Sequence, residues 1–257
     1  MPPSSPELAR RFAAGDSILT GWISLPEPLV AEACVRAGFD ALVVDLQHGQ
    51  VDVASAGRII SGIRYAGGRA ILRIPVGDYA TASRLLDAGA DAVIAPMIET
   101  VADAETFASF MKYPPLGSRS WGPTRAVQLS GGTPEAYRTS ANGSTLAIAM
   151  IETLTALDNL DGILALPGID GVFVGPSDLS LAISNGANLD VNAPEAVEAF
   201  KRIADAAAKA GKIAGIYAVD PEHARRCFAM GFRFATLMSD LGYITSGAKA
   251  AIAAVGR

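Results

Sequence analysis

The sequence predicts an α/β protein, a single-domain (β/α)₈ TIM barrel that occupies residues 1–257. Three observations favour this fold. The length of 257 residues is typical of one such barrel. Short apolar runs alternate with amphipathic segments along the whole chain, as expected when parallel strands alternate with helices. There are eight apolar runs, which is the number of strands in the closed barrel.

The eight runs have the length and branched composition of buried parallel strands. They lie at about 17–23, 41–46, 69–74, 92–97, 145–152, 171–175, 213–218 and 234–239. Intervening segments such as EPLVAEACVRAG have the apolar spacing of amphipathic helices. A glycine closes several of these helices: Gly38, Gly67, Gly89, Gly211 and Gly231. A doubly wound open sheet needs a glycine fingerprint after its first strand, which GWISLPEP lacks, so the barrel is favoured.

Two segments depart from the alternation. Residues 113–144 are rich in Gly, Pro and Ser and predict a long loop, of the kind that forms a lid, an interface or part of a pocket. Residues 183–194 interrupt the helix that follows Asp178 and predict a short helix, a loop and a second helix.

Composition excludes several classes of partner. The net charge is −5 and no basic stripe is present, so nucleic acid is not expected to bind. No run approaches the roughly 20 apolar residues of a membrane span. The segment MPPSSPELARRF lacks a signal-peptide core and predicts a short tail before a helix, so a cytoplasmic location is expected. Cys34 and Cys227 are expected to be buried free thiols.

Polar residues end several of the apolar runs, and the carboxyl ends of barrel strands share one face. Glu152 and Asp178 are 26 residues apart, one βα unit, which predicts adjacent strand ends about 4.8 Å apart. Two carboxylates there suit Mg²⁺ or Mn²⁺. The alternatives are a salt bridge for Glu152 and a helix N-cap for Asp178. Gly175, Pro176 and Ser177 would expose backbone N–H groups to an anion.

His48 follows a strand and lies three residues after Asp45, a spacing that could bring the two side chains together. A carboxylate bonded to the ring would raise its basicity and make His48 a general base. The alternative is a solvent-exposed loop histidine. The other histidine, His223, is expected on the surface of a helix away from this face.

Arg73 ends the strand LRIP, where its guanidinium could bind a substrate carboxylate. The alternative is an internal partner such as Glu152 or Asp45. Arg119 and Arg125, in the long loop, are weaker candidates for a second anionic group, with solvated surface as their alternative.

At these residues the chain resembles the HpcH/HpaI aldolase family of metal-dependent class II pyruvate aldolases. The matching motifs occur in the family's order: D-x-x-H in VVDLQHG, YPP-x-G-x-R in YPPLGSRSWG, and GP-x-D-L-S in GVFVGPSDLS. The resemblance implies that Glu152 and Asp178 bind a divalent metal such as Mg²⁺, Mn²⁺ or Co²⁺. It implies that Arg73 holds the pyruvate carboxylate and enolate, and that His48 is the base, oriented by Asp45.

The resemblance further implies that the backbone around Ser177 contributes to the carboxylate site. Many members carry Glu at the position of Gln47. This chain therefore departs from the family pattern and lacks that charge beside His48. Some members carry Gln at the position of Met150. The methionine therefore removes a polar contact that those members have in the pocket.

The expected reaction is reversible aldol cleavage of a 4-hydroxy-2-oxo acid to pyruvate, or a close 2-oxo acid, and an aldehyde. A Schiff-base mechanism is not expected because no lysine ends a strand; the lysines are Lys112, Lys201, Lys209, Lys212 and Lys249. Two alternatives stay open: an acyl-CoA lyase of the malyl- or citramalyl-CoA type, and a non-catalytic 2-oxo acid-binding barrel.

The C-terminal segment YITSGAKAAIAAVGR predicts a helix with a stripe of small and apolar residues. The resemblance implies that this helix is exchanged between paired subunits and that the protein is a homohexamer. Exchange of an identical element is a low-cost route to a symmetric oligomer.

Overall fold

A computed structural model describes residues 8–256 and confirms the barrel. Eight parallel strands close in sequence order, and the last strand pairs with the first. The strands are β1 Ile18–Ile23, β2 Ala41–Asp45, β3 Arg69–Arg73, β4 Ala92–Ala95, β5 Leu146–Ile151, β6 Gly171–Val174, β7 Ile213–Ala218 and β8 Phe234–Leu237. Each lies within or close to its predicted range. The expectation of a tail before the first helix falls on residues outside the described part of the chain.

The helices form a layer around the barrel. They are α1 Leu8–Ala13, α2 Pro28–Ala37, α3 Val53–Tyr65, α4 Tyr79–Asp87, α5 Val101–Met111, α6 Thr124–Ser130, α7 Pro134–Ser144, α8 Leu154–Asp158, α9 Leu160–Ala165, α10 Pro176–Ile183, α11 Pro194–Lys209, α12 Pro221–Ala229 and α13 Asp240–Ala254. The break at 183–194 is confirmed, between α10 and α11. The five glycines predicted to close helices all have positive φ angles.

The prediction of a long loop at 113–144 is wrong in part, because α6 and α7 occupy much of it. Thr133 caps α7 through a bond from the Ala136 N–H, and Pro134 begins the helix. Tyr137 and Ala141 are buried in a small separate cluster with Tyr113 and Ala126. A good N-terminal cap and a small buried cluster therefore outweigh the Gly- and Ser-rich composition.

The alternating side chains of the strands supply two cores. Trp22, Ile94, Ile148, Phe173 and Phe234 belong to the cluster that fills the barrel interior, whereas the residues on the opposite strand faces pack against the helices. Because both strand faces are buried, each strand is an almost unbroken apolar run.

Helix α13 stands apart from this packing. Asp240, at its first residue, is fully buried and accepts hydrogen bonds from the N–H groups of Ser24 and Leu25. From Leu241 onward no residue of the helix is buried, and Ile244 and Ile252 are half exposed. Tyr243 packs against Phe39 and the main core, but from Ile244 onward every described residue of α13 is exposed.

Candidate active site

A cavity of about 290 Å³ opens at the carboxyl ends of the strands. It is lined by seven of the predicted site residues, namely Asp45, His48, Arg73, Gly175, Pro176, Ser177 and Asp178. The eighth, Glu152, is 4% exposed. A larger cavity of about 710 Å³ lies at the opposite end of the barrel, where Asp170 bonds Lys112 and Lys212 donates to backbone carbonyls. The smaller cavity is thus the better candidate for chemistry.

Glu152 directly follows β5, and Asp178 lies in the first turn of α10, which follows β6. Glu152 Oε1 accepts a hydrogen bond from the Met97 N–H at 2.8 Å. Its carboxylate lies near enough to Asp178 for their charges to interact. Burial raises the pKa of Glu152, and the neighbouring charge of Asp178 adds to the shift. Two carboxylates in this position favour a cation between them.

The alternatives for these two residues are not realised. No ion pair of Glu152 occurs among the described residues, and the N-cap of α10 is Gly175, with Asp178 in the first turn. A Cβ at Gly175 would lie 2.7 Å from Glu152 Oε2, so glycine leaves room beside that oxygen.

The donor set fits a divalent metal of the Mg²⁺ type. Within residues 8–256 no group of three or more His, Cys, Asp or Glu side chains is placed to hold an ion. Two carboxylates alone would be a poor zinc site, but Mg²⁺ commonly binds through one or two carboxylates and retains waters or substrate oxygens. Glu152 and Asp178 are the residues that would hold such an ion.

Arg73 and Asp45 form a buried bidentate ion pair. Arg73 Nε donates to Asp45 Oδ1 at 2.9 Å, and Nη2 donates to Oδ2 at 2.7 Å. Burial opposes ionisation of Asp45, but the bonds and charge of Arg73 outweigh it and lower the pKa. Trp22 supports the pair: its Nε1 donates to Asp45 Oδ2 at 3.2 Å, and the guanidinium carbon lies 4.6 Å from its ring centre.

This ion pair changes two expectations. The internal partner left open for Arg73 is realised as Asp45, and Nη1 is the guanidinium nitrogen that the pair does not use. The expected bond between the Asp45 carboxylate and the His48 ring is not present. Asp45 Oδ1 instead accepts from the backbone N–H groups of Gln47 and His48, at 3.0 and 3.3 Å. The tight turn carries the imidazole away from the carboxylate, and His48 is exposed at the cavity.

Three other predicted residues lie away from the cavity. The expectation that His223 is a surface residue is wrong: it is 2% exposed, because it faces inward on α12, and its Nδ1 accepts from the Val219 N–H. Arg119 is also buried, bonds Asp87 at 2.6 Å and does not line the cavity, so it does not supply a second anion contact there. Arg125 is exposed, as its alternative supposed.

Sequence reasoning missed several residues that shape the cavity. The aromatic side chains of Trp22, Phe173 and Tyr217 line it, together with Ser24 and Ser239. All five lie near the carboxyl ends of strands, so strand position was the available signal. Their apolar or small side chains resemble core residues, which hid them among the buried strand positions.

Comparison with known proteins identifies the family. A model of the HpcH/HpaI aldolase/citrate lyase family matches residues 19–246. The chain is 39% identical to a hydroxypyruvate/pyruvate aldolase of Rhizorhabdus wittichii over 93% of this chain and 94% of the relative. It is 33% identical to a 2-keto-3-deoxy-L-rhamnonate aldolase of Salmonella gallinarum, over 88% and 84%.

A solved structure gives the same result. The crystal structure of an HpcH/HpaI aldolase/citrate lyase family protein from Burkholderia cenocepacia superimposes with a TM-score of 0.87 at 28% identity. The match covers 97% of this chain and 99% of that protein. The resemblance inferred from the motifs is therefore confirmed across nearly the whole barrel.

Proposed function

The chain belongs to the HpcH/HpaI aldolase/citrate lyase family, and from that premise we propose that it is a divalent-metal-dependent class II aldolase acting on 2-oxo acids. Its relatives are named as aldolases, so the chain is assigned to the carbon–carbon lyases. The observation that carries the proposal is the neighbouring pair of carboxylates, Glu152 and Asp178, at the cavity that Arg73 and His48 line.

Glu152 and Asp178 would hold the metal, with Mg²⁺, Mn²⁺ and Co²⁺ as candidates. A bound divalent ion would supply Lewis-acid stabilisation of negative charge on the 2-oxo group. The Met97 N–H donates a hydrogen bond to Glu152 Oε1, and Gly175 has no side chain to fill the space beside Oε2. These contacts support a carboxylate that presents one oxygen to a ligand.

Arg73 would bind the carboxylate and enolate oxygens of the 2-oxo acid. Its Nε and Nη2 are fixed by Asp45, so the guanidinium is oriented before substrate arrives. Positive charge held near the oxygen where negative charge develops lowers the barrier without reorganisation. Asp45 would act by positioning Arg73. The N–H groups around Ser177, at the start of α10, would contribute to the same carboxylate site.

His48 would act as the general base. In cleavage it takes the C4 hydroxyl proton through a water, the C3–C4 bond breaks, and the electron pair forms the enolate of the 2-oxo acid. In synthesis the proton returns. The exposure of His48 at the cavity supports exchange with solvent, and the turn held by Asp45 Oδ1 fixes its backbone.

Pyruvate and hydroxypyruvate are the proposed 2-oxo acids, because they occur in the name of the Rhizorhabdus relative. The acyl-CoA lyase alternative is not favoured, since both relatives described above are named as aldolases. The test is aldol addition of pyruvate and hydroxypyruvate to a panel of short aldehydes, with malyl-CoA and citramalyl-CoA cleavage assayed in parallel. Thioester cleavage without aldol addition would reverse the assignment.

We also propose self-association as a homohexamer built from dimers that exchange α13. The exposed part of the helix, from Ile244 onward, supports a partner surface there. No helix between residues 8 and 256 has the length and apolarity needed to cross a bilayer. A cytoplasmic location stays a prediction.

A further inference from the structure

Met97 has a backbone conformation that its side chain does not favour. It lies two residues after β4 with a φ of 53°, in the left-handed region that L residues rarely adopt. Within residues 8–256, only Met97, Asn185 and Met238 have positive φ angles among non-glycine residues. Such a conformation persists only where the surrounding structure enforces it.

The side chain of Met97 does not account for this conformation. It is 41% exposed at the mouth of the barrel, so little packing energy fixes it there. The backbone has a defined contact instead: the Met97 N–H donates to Glu152 Oε1 at 2.8 Å. Glu152 is itself 4% exposed, so a change in this bond acts on a buried carboxylate.

We propose that Met97 is a positioning residue for the metal site, and that its left-handed backbone aims the N–H at Glu152 Oε1. With that oxygen occupied, Oε2 is left beside Gly175 for the metal. The hydrogen bond also holds the Glu152 side chain in one rotamer, so that side chain loses less conformational freedom when an ion binds. This inference rests on the proposed metal site.

The chain offers a matched control for backbone strain. Met238 has the same residue type and the same φ of 53°, but its N–H donates to the Ala218 carbonyl rather than to a carboxylate. A β-branched residue opposes positive φ at both positions, whereas Asn tolerates it. Met97→Val should therefore turn the N–H away from Glu152, and Met238→Val should strain only the end of β8.

The test is direct Mn²⁺ binding, measured by electron paramagnetic resonance on the full-length protein. Met97→Val should weaken binding by about tenfold or more, as loss of a bond to a metal ligand commonly does. Met97→Asn, Met97→Gly and Met238→Val should stay within about threefold of the parent. If Met97→Val does not fold, Met97→Thr, which is also β-branched but carries a polar hydroxyl, should bind Mn²⁺ more weakly than Met97→Asn.

Two results would overturn the inference. One is Mn²⁺ affinity of Met97→Val, or of Met97→Thr in its place, equal to that of Met97→Asn. The other is an equal loss in Met238→Val, which would make the effect one of general strain. Failure of the parent protein to bind Mn²⁺ would instead refute the metal site itself, so the two failures are distinguishable.

Discussion

Asp45 and Arg73 lie opposite each other on β2 and β3, and two hydrogen bonds of 2.9 and 2.7 Å join the carboxylate to the guanidinium. Asp45 is 2% exposed and Arg73 is 7% exposed. A charged pair buried this deeply costs desolvation energy and is weak evidence for stability alone. We interpret it as a device that orients Arg73 toward the cavity.

Arg73→Ala should therefore have two effects. It should abolish use of 2-oxo acids, and it should lower stability by about 3–5 kcal/mol because the Asp45 charge is left buried without a partner. The double variant Arg73→Ala/Asp45→Ala should recover part of that stability and remain inactive. Thermal unfolding and pyruvate-dependent aldol addition measure the two effects.

The exposed Arg125 provides the control, and Arg125→Ala should change stability by less than about 0.5 kcal/mol. If Arg73→Ala keeps aldol addition within a few-fold of the parent, Arg73 is only a structural partner of Asp45.

His48→Ala should lower kcat for aldol cleavage by about 10²–10⁴, the usual contribution of a general base. Pyruvate binding, measured by calorimetry in the presence of Mg²⁺, should remain, because Arg73 and the carboxylates are untouched. His223→Gln removes the other imidazole, which is buried on α12, and should leave kcat within a few-fold. Equal losses in both variants would contradict a specific role for His48.

Glu152→Gln should stabilise the metal-free protein at neutral pH. Burial raises the pKa of Glu152, so its charged form destabilises the fold above that pKa, and the cost disappears as pH falls through it. At neutral pH in EDTA the variant should therefore unfold at a higher Tm than the parent. In EDTA, the Tm difference between variant and parent should shrink on acidification.

The exposed Glu105, on α5, is the matched control, and Glu105→Gln should show no such pH-dependent gain. A Glu152→Gln variant that is less stable than the parent at neutral pH in EDTA would contradict this account. It would show that the buried charge of Glu152 does not lower the free energy of unfolding.

Helix α13 should control assembly. Deleting residues 241–257 should lower the assembly state seen by sedimentation velocity, because the exposed apolar helix would no longer reach a partner. Ile252→Gln should weaken assembly more than Lys249→Gln, since Ile252 is a half-exposed apolar residue of the helix and Lys249 is already polar. A stable monomer of the full-length chain would rule the hexamer out.

Strands and site positions were predictable because barrel strands are buried on both faces and end at one edge. Periodicity therefore located Glu152 and Asp178 without any structure. The partner of Arg73 remained open because strand register decides it, and a separation of 28 residues along the chain does not fix register.

Other features needed the folded backbone. His223 lies four residues before the buried Cys227, a spacing that places both on the inner face of α12 and could have revealed its burial. The φ of Met97 carries no sequence signal, since glycine or asparagine would be expected at such a position.

The most direct test of the account is exchange of pyruvate C3 protons for solvent deuterons, followed by mass spectrometry. Exchange reports enolate formation without an aldehyde, and it separates an aldolase from a barrel that only binds 2-oxo acids. We expect exchange with Mg²⁺, Mn²⁺ or Co²⁺, none after exhaustive dialysis against EDTA, and none in Glu152→Gln or Asp178→Asn under either condition. Exchange that persists after EDTA treatment, or in the Glu152→Gln variant, would contradict a metal held by these two carboxylates.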